Sequence, residues 1–262
     1  VVSKGRNNMK QQTRVISFSG KGGTGKTTTA SLFVKAVREL GLCEEILVID
    51  ADPDANLATT LNVKYDTTIG EAVDRRKKTL EDGVAGEKLR ADLYDAVYHG
   101  DFFDFVVMGR KKGSGCYCTI NSVLDTIFSE TMNMYDLVII DFDAGLEHFA
   151  RGTGSNSDTL IIVCDQSKLS FETAGRITDI VSEINLPYSN KYMIGCRYDD
   201  ANKPILENFA ESIDVEVLGY VGYDKEVASL NLSGKGLDGI AADNAALEAV
   251  KEMVKKILST PA

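Results

Sequence analysis

Residues 20–28 read Gly20-Lys21-Gly22-Gly23-Thr24-Gly25-Lys26-Thr27-Thr28. Gly20, Gly25, Lys26 and Thr27 match the G-x-x-x-x-G-K-[ST] spacing of a phosphate-binding loop. Gly20, Gly22, Gly23 and Gly25 open backbone angles that a Cβ would bar. Successive N–H groups, Thr24 among them, can then turn inward as an anion nest at a helix N-terminus. Lys26 is placed for β- and γ-phosphates, the Thr27 hydroxyl for Mg²⁺, and Thr28 extends the cradle. Lys21 has no counterpart in an ordinary loop of this kind.

Two acidic stretches complement it. One reads Val48-Ile49-Asp50-Ala51-Asp52-Pro53-Asp54, the other Ile139-Ile140-Asp141-Phe142-Asp143-Ala144-Gly145. Asp141 directly follows an apolar strand pattern, where a carboxylate orients water bound to Mg²⁺. Asp52 is a candidate to position or deprotonate an attacking water. Asp143 and Gly145 belong to a segment able to sense a γ-phosphate. Asp54 either serves beside the phosphate site or caps the next helix.

A third stretch, Gly109-Arg-Lys-Lys-Gly-Ser-Gly-Cys116-Tyr117-Cys118, carries two thiols on one side of an extended chain. They could chelate a soft or borderline metal, but two thiolates leave a tetrahedral site half complete. A second copy of the chain across a two-fold axis would supply the other two, for Zn²⁺ or for planar Ni²⁺. Arg110, Lys111 and Lys112 favour the thiolate form. Redox pairing or plain packing stay open on spacing alone. Cys43, Cys164 and Cys196 read as small buried hydrophobes. His148 follows the second acidic stretch and reads as structural, and His99 has no supporting context.

The positioning elements follow from periodicity. Short apolar runs at 15–19, 46–50, 105–108, 137–141, 160–164, 193–196 and 215–221 read as strands, mostly separated by helical patterns. Residues 14–19 alternate apolar and polar, while 46–49 and 137–140 are continuously apolar, as in parallel strands buried on both faces. A helix is expected from 27 to 40 with Leu32, Val34, Ala36, Val37 and Leu40 inward. The fold class is α/β: a doubly wound, mostly parallel sheet of seven to eight strands with helices on both faces, of the P-loop NTPase type. Ligand should sit at the strands' carboxyl ends.

With 262 residues, 44% hydrophobic and 26% charged, one large domain is expected over 14–262, with 1–13 a flexible extension. A net charge of −10 disfavours nucleic acid and anionic membranes as partners. Apolar runs fall short of the roughly 20 residues of a membrane span. Five cysteines, an odd number, point to a reducing cytoplasm. Residues 243–258 are amphipathic, and the reading taken is a helix packed on the sheet rather than on lipid.

These residues together resemble a family. Lys21-Gly-Gly-Thr-Gly-Lys-Thr27 is similar to the deviant Walker A loop of MinD-, ParA- and nitrogenase-iron-protein-type ATPases. The stretches Asp50–Pro53 and Asp141–Gly145 resemble the two switch regions of that class. The Cys116-Tyr-Cys118 block, with Asn121-Ser122, Ala144-Gly-Leu-Glu-His148 and Arg151-Gly-Thr153, resembles the CooC-type maturation ATPases of carbon monoxide dehydrogenase and an acetyl-CoA synthase relative. The resemblance implies ATP hydrolysis to ADP with Mg²⁺ and an ATP-state homodimer in which Lys21 reaches the partner's nucleotide. It also implies Ni²⁺ or Zn²⁺ on Cys116 and Cys118 at the interface, and a nickel metalloenzyme as client. The chain departs from the class where Ile194-Gly195-Cys196-Arg197 lacks the asparagine that reads adenine. It departs again where Tyr220-Val-Gly222-Tyr223 lacks a proline. A positioning ATPase without a metal role, and a non-catalytic metal sensor, are the competing readings.

Overall fold

A computed structural model describes residues 13–77, 91–92, 94–109, 134–142, 158–186 and 188–259. Its strands are β1 (Arg14–Ser19), β2 (Ile46–Asp50), β3 (Val97–His99), β4 (Asp104–Val107), β5 (Leu137–Asp141), β6 (Thr159–Cys164), β7 (Asn190–Cys196) and β8 (Glu216–Val221). They form one sheet in the order β3-β4-β2-β5-β1-β6-β7-β8. Each pairing is parallel except β3–β4, which is antiparallel. The expected strands are therefore found, with β3 added at the edge. The helices that the argument needs are α1 (Lys26–Leu40), α2 (Asn56–Thr60), α3 (Ile69–Lys77), α4 (Lys168–Glu183), α5 (Lys203–Ser212), α6 (Lys225–Leu232) and α7 (Ala245–Ser259).

The period-two alternation of side chains splits each central strand between two cores. Phe18, Val48, Ile139, Ile161 and Val163 face one core, shared with Leu32 and Phe33 of α1, Leu57 of α2 and Leu247, Val250 and Val254 of α7. Val15, Leu47, Ile49, Val138, Ile140 and Ile162 face the other, against Ile69 of α3, Ile177 of α4 and Leu206 of α5. This is why β2 and β5 are apolar at nearly every position. β1 differs from its sequence pattern. Its serines do not face water: Ser17 and Ser19 are fully buried, because β1 lies between β5 and β6 with helices over both faces. The amphipathic segment near 243–258 is α7, and its apolar face is spent on α1 and β8 within the first core.

β1 sits where the winding reverses, with β5 on one side and β6 on the other. The crevice at that switch point opens at the carboxyl ends of these strands, and the chain leaves β1 there through Gly20. Gly20 has φ +146°, and a Cβ on it would lie 2.4 Å from the Val163 carbonyl oxygen of β6. Only glycine lets the loop start this close to the sheet. Gly20→Ala should therefore push β1 and β6 apart. The expected loss is about 1–3 kcal/mol in denaturant unfolding, and unchanged stability would contradict the close approach.

Candidate functional site

The loop after β1 is wound by Gly20, Gly23 (φ +84°) and Gly25 (φ +102°), and Gly25 occupies the N-cap of α1. A left-handed N-cap turns the chain abruptly into the helix, so the first N–H groups of α1 face the crevice. The loop is tied internally. Thr24 is fully buried, its Oγ1 donating to the Lys21 carbonyl at 2.8 Å, and Thr29 Oγ1 donates to the Gly25 carbonyl at 2.8 Å. A cavity of about 960 Å³ opens over the loop. Gly22, Gly23, Gly25, Lys26, Thr27, Thr28 and Asp52 line it, together with Asn56, Arg197 and Asn231.

Beneath the cavity lies a charged knot. Lys26 is 6% exposed, and its Nζ is 3.8 Å from Asp141 Oδ1 and 3.9 Å from Asp52 Oδ2. Thr27 Oγ1 donates to Asp141 Oδ2 at 2.7 Å. The predicted catalytic residues Lys26, Asp52 and Asp141 thus meet at one point. The Thr27 oxygen keeps its lone pairs while giving its hydrogen to Asp141. A hydroxyl and carboxylates beside a phosphate cradle are the hard oxygen donors that Mg²⁺ takes, so the residues present fit that ion. Lys21 does not line the cavity; its Nζ lies 3.4 Å from the Gly22 carbonyl oxygen. Asp143, Gly145, Cys116, Cys118 and His148 lie outside the described residues, as do Arg110, Lys111 and Lys112.

The sequence reading passed over Asp50. It pairs in register with Asp141 on the neighbouring strand, and both are fully buried. Asp50 Oδ2 accepts from Leu57 N at 2.9 Å and Ala58 N at 3.4 Å, while Oδ1 accepts from Asp52 N at 3.2 Å. Asp50 therefore does the capping work that Asp54 was placed to do. Ala55, at φ +53°, stands at the cap position, and Asp54 instead donates its N–H to Asp52 Oδ1 at 2.8 Å. A signal was available: an acid ending an apolar strand a few residues before a helix start. Burial, and then the Asp141 carboxylate beside it, push the Asp50 carboxyl up to about 7.

A second, smaller cavity of about 180 Å³ adjoins the first and shares Gly25, Thr28, Arg197 and Asn231 with it. Arg197 adopts φ +58°, uncommon for a side chain of its size. Its Nη2 donates to the Gly23 carbonyl at 2.7 Å and lies 3.5 Å from Asp165 Oδ2. Its own carbonyl accepts from Gln166 Nε2, and its N–H donates to Val221 O at 2.8 Å. Asn231 Nδ2 donates to Thr28 Oγ1 at 3.2 Å. Neither residue was singled out in the sequence as a site residue. Cys164 and Cys196 are buried, and burial pushes their thiols up to about 12 and about 11, so both stay neutral packing groups as read. Cys43 is half-buried against the first core.

Asp50 makes stability depend on pH with a defined sign. Its folded pKa lies above the unfolded value of about 3.9, so between the two the folded state holds more protons. Stability then falls as pH rises toward about 7, and the loss is complete above it. In nucleotide-free protein, unfolding free energy measured from pH 5.5 to 8 should decline for the native chain relative to Asp50→Asn. Parallel profiles would refute the buried acid.

A family model described as an AAA domain matches residues 13–194. An uncharacterized ATP-binding protein of Methanocaldococcus jannaschii is 35% identical over 251 residues, covering 94% of this chain and 98% of that protein. The carbon monoxide dehydrogenase accessory protein CooC of Rhodospirillum rubrum is 30% identical over 191 residues, covering 65% of this chain and 70% of CooC. The septum site-determining protein MinD of Pyrococcus horikoshii, complexed with Mg-ADP, superposes with a TM-score of 0.68 at 22% identity, over 94% of this chain and 96% of that one. This last likeness establishes the fold, a P-loop NTPase sheet of the MinD and ParA kind. With the matched model spanning more than half of its length, the chain belongs to the AAA domain family.

Proposed function

We propose that this protein is an Mg²⁺-dependent ATPase that serves as a maturation factor, delivering nickel to a metalloenzyme such as carbon monoxide dehydrogenase or acetyl-CoA synthase. The observation that carries the ATPase reading is the meeting of Lys26, Thr27, Asp52 and Asp141 under a glycine cradle. The nickel reading rests on the CooC relative and on Cys116-Tyr-Cys118. A positioning ATPase without a metal role is the second reading, supported by the likeness to MinD over nearly the whole chain, where the CooC match covers 65% of it.

In this reading the loop N–H groups bind the phosphates, and Lys26 moves from the carboxylates toward the β- and γ-phosphates as ATP enters. Mg²⁺, when bound, would supply positive charge against the charge that develops on the phosphates. Thr27 and Asp141 are the residues that would hold it. Asp52, at the cavity wall, orients the attacking water. Lys21, turned out of its own cavity, reaches the γ-phosphate of a second copy, and Asp143 and Gly145 sense that phosphate. The dimer brings two Cys116/Cys118 pairs together around one Ni²⁺ or Zn²⁺. Phosphate release then loosens the thiolates and frees the ion for the client. The setting is the cytoplasm, and residues 1–13 are an extension to the single catalytic domain.

Two measurements test this. Lys21→Ala should keep nucleotide binding, lose about 10²-fold or more in hydrolysis rate and stay monomeric with ATP and Mg²⁺; normal turnover and dimerisation would end the trans-lysine idea. A Cys116→Ser/Cys118→Ser variant should bind ATP normally yet take up no Ni²⁺ or Zn²⁺ in titrations followed by metal per chain. Unchanged metal stoichiometry would favour the positioning ATPase.

A further inference from the structure

We infer that Arg197 is a positioning residue for the phosphate site: anchored on Asp165, it sets the shape of the loop's tip before any phosphate arrives. The inference rests on the nucleotide-binding reading above and concerns how its cradle is held. Gly20 and Gly25 are fixed by what surrounds them, since a Cβ on Gly20 would strike β6 and one on Gly25 would meet the Cys196 sulfur at 3.5 Å. Between them, Gly22 and Gly23 line the cavity, are exposed, and would place a Cβ within 4 Å of nothing. Two successive glycines without packing lose the most conformational freedom when they are ordered. The turn is closed from within by Thr24, whose N–H donates to the Lys21 carbonyl at 3.3 Å. Among the described residues, the hydrogen bond that ties Gly22 and Gly23 to another element runs from Arg197 Nη2 to the Gly23 carbonyl, at 2.7 Å.

Arg197 is itself held on several sides. Its main chain stays at φ +58° because its N–H donates to Val221 O and its carbonyl accepts from Gln166. Its guanidinium leans on Asp165, Nη2 lying 3.5 Å from Oδ2. Asp165 is fixed in turn. Its Oδ1 accepts from Ser167 N at 3.0 Å and Ser167 Oγ at 2.6 Å, its N–H donates to Ser170 Oγ at 3.1 Å, and its carbonyl accepts from the Tyr198 hydroxyl at 2.9 Å. Against the cost of burial, the Ser167 bonds and then the charges of Lys21 and Arg197 hold the Asp165 carboxyl below the ordinary carboxylate range. Asp165 lines neither cavity. Its charge therefore bears on a bound phosphate in two opposite ways. As an anion near an anion site it repels; as the anchor of Arg197 it keeps the tip in shape. A tip shaped in advance spares the ligand the ordering of two glycines, so the second effect wins if Arg197 acts by position.

Calorimetric titration of Mg-tripolyphosphate and Mg-ATP onto the full chain decides the sign. Asp165→Asn keeps an Oδ1 acceptor for Ser167 but loses the charge that anchors Arg197. It should weaken both ligands by about threefold or more, where removal of a repelling charge alone would tighten them. Arg197→Gly suits the left-handed backbone and should weaken both by about fivefold or more. Adding Asp165→Asn to it should weaken them no further, because the two residues act as one unit. Circular dichroism and denaturant unfolding check that the variants fold. Unchanged affinity in Arg197→Gly, even with lowered stability, overturns the inference and leaves the phosphate site standing. So does unchanged or tighter binding in Asp165→Asn, or losses that add in the double variant. Failure of ATP and tripolyphosphate alike to bind the native chain overturns the nucleotide reading and this inference with it.

Discussion

Asp50 and Asp141 end neighbouring parallel strands in register, and neither is exposed to solvent. Two carboxylates brought together out of water repel each other and resist ionisation, so the surroundings must answer their charge. Asp50 is answered by backbone N–H groups at the start of α2, and Asp141 by the Thr27 hydroxyl and the Lys26 ammonium. The helix that follows β2, the pitch of the phosphate loop and the inward swing of Lys26 are thus set by one electrostatic problem. Such a site is poised for a cation. Phosphates that draw Lys26 away leave the carboxylates in need of another positive charge, and a divalent ion meets that need.

The phosphate end was legible because its requirements are local. A backbone cradle needs glycine at fixed positions, a lysine and a hydroxyl, and these fall within residues 20–28. The central strands were legible because burial on both faces leaves unbroken apolar runs. β3 was not: Val97-Tyr98-His99 is short and partly exposed at an antiparallel edge, so no hydrophobic pattern marks it. The alternation in β1 misled for a related reason. Buried serines next to a turning loop look, in sequence, like a solvent face. Asp50 was passed over because one acid among three at alternate positions gives no hint of which is buried; only the register with Asp141 decides it.

The second cavity was illegible for a different physical reason. Its walls come from the start of α1, the end of β7, the turn from β8 into α6 and Ala246 of α7, segments that only the fold brings together. Side chains rather than backbone form it, so no glycine spacing announces it. Nor does the sequence announce the backbone at Arg197, the residue that follows β7. Arg197 takes a left-handed conformation that asparagine adopts with less strain. Its main chain is held there by Val221 and by Gln166, so its side chain is directed across the loop rather than out to solvent.

That contact links the phosphate loop to the second cavity. Arg197 joins the Gly23 carbonyl of the phosphate loop to Asp165 after β6, and Gln166 extends the chain of bonds to Asn202 before α5. The loop's peptide at Gly23 is therefore held by a cation that itself depends on β7, β8 and the β6–α4 turn. Whatever shifts Asp165, β7 or β8 therefore acts on the phosphate loop through this one hydrogen-bonded strut. The sheet thus fixes the acids and glycine the cradle, while Arg197 ties that cradle to the strands beyond β6.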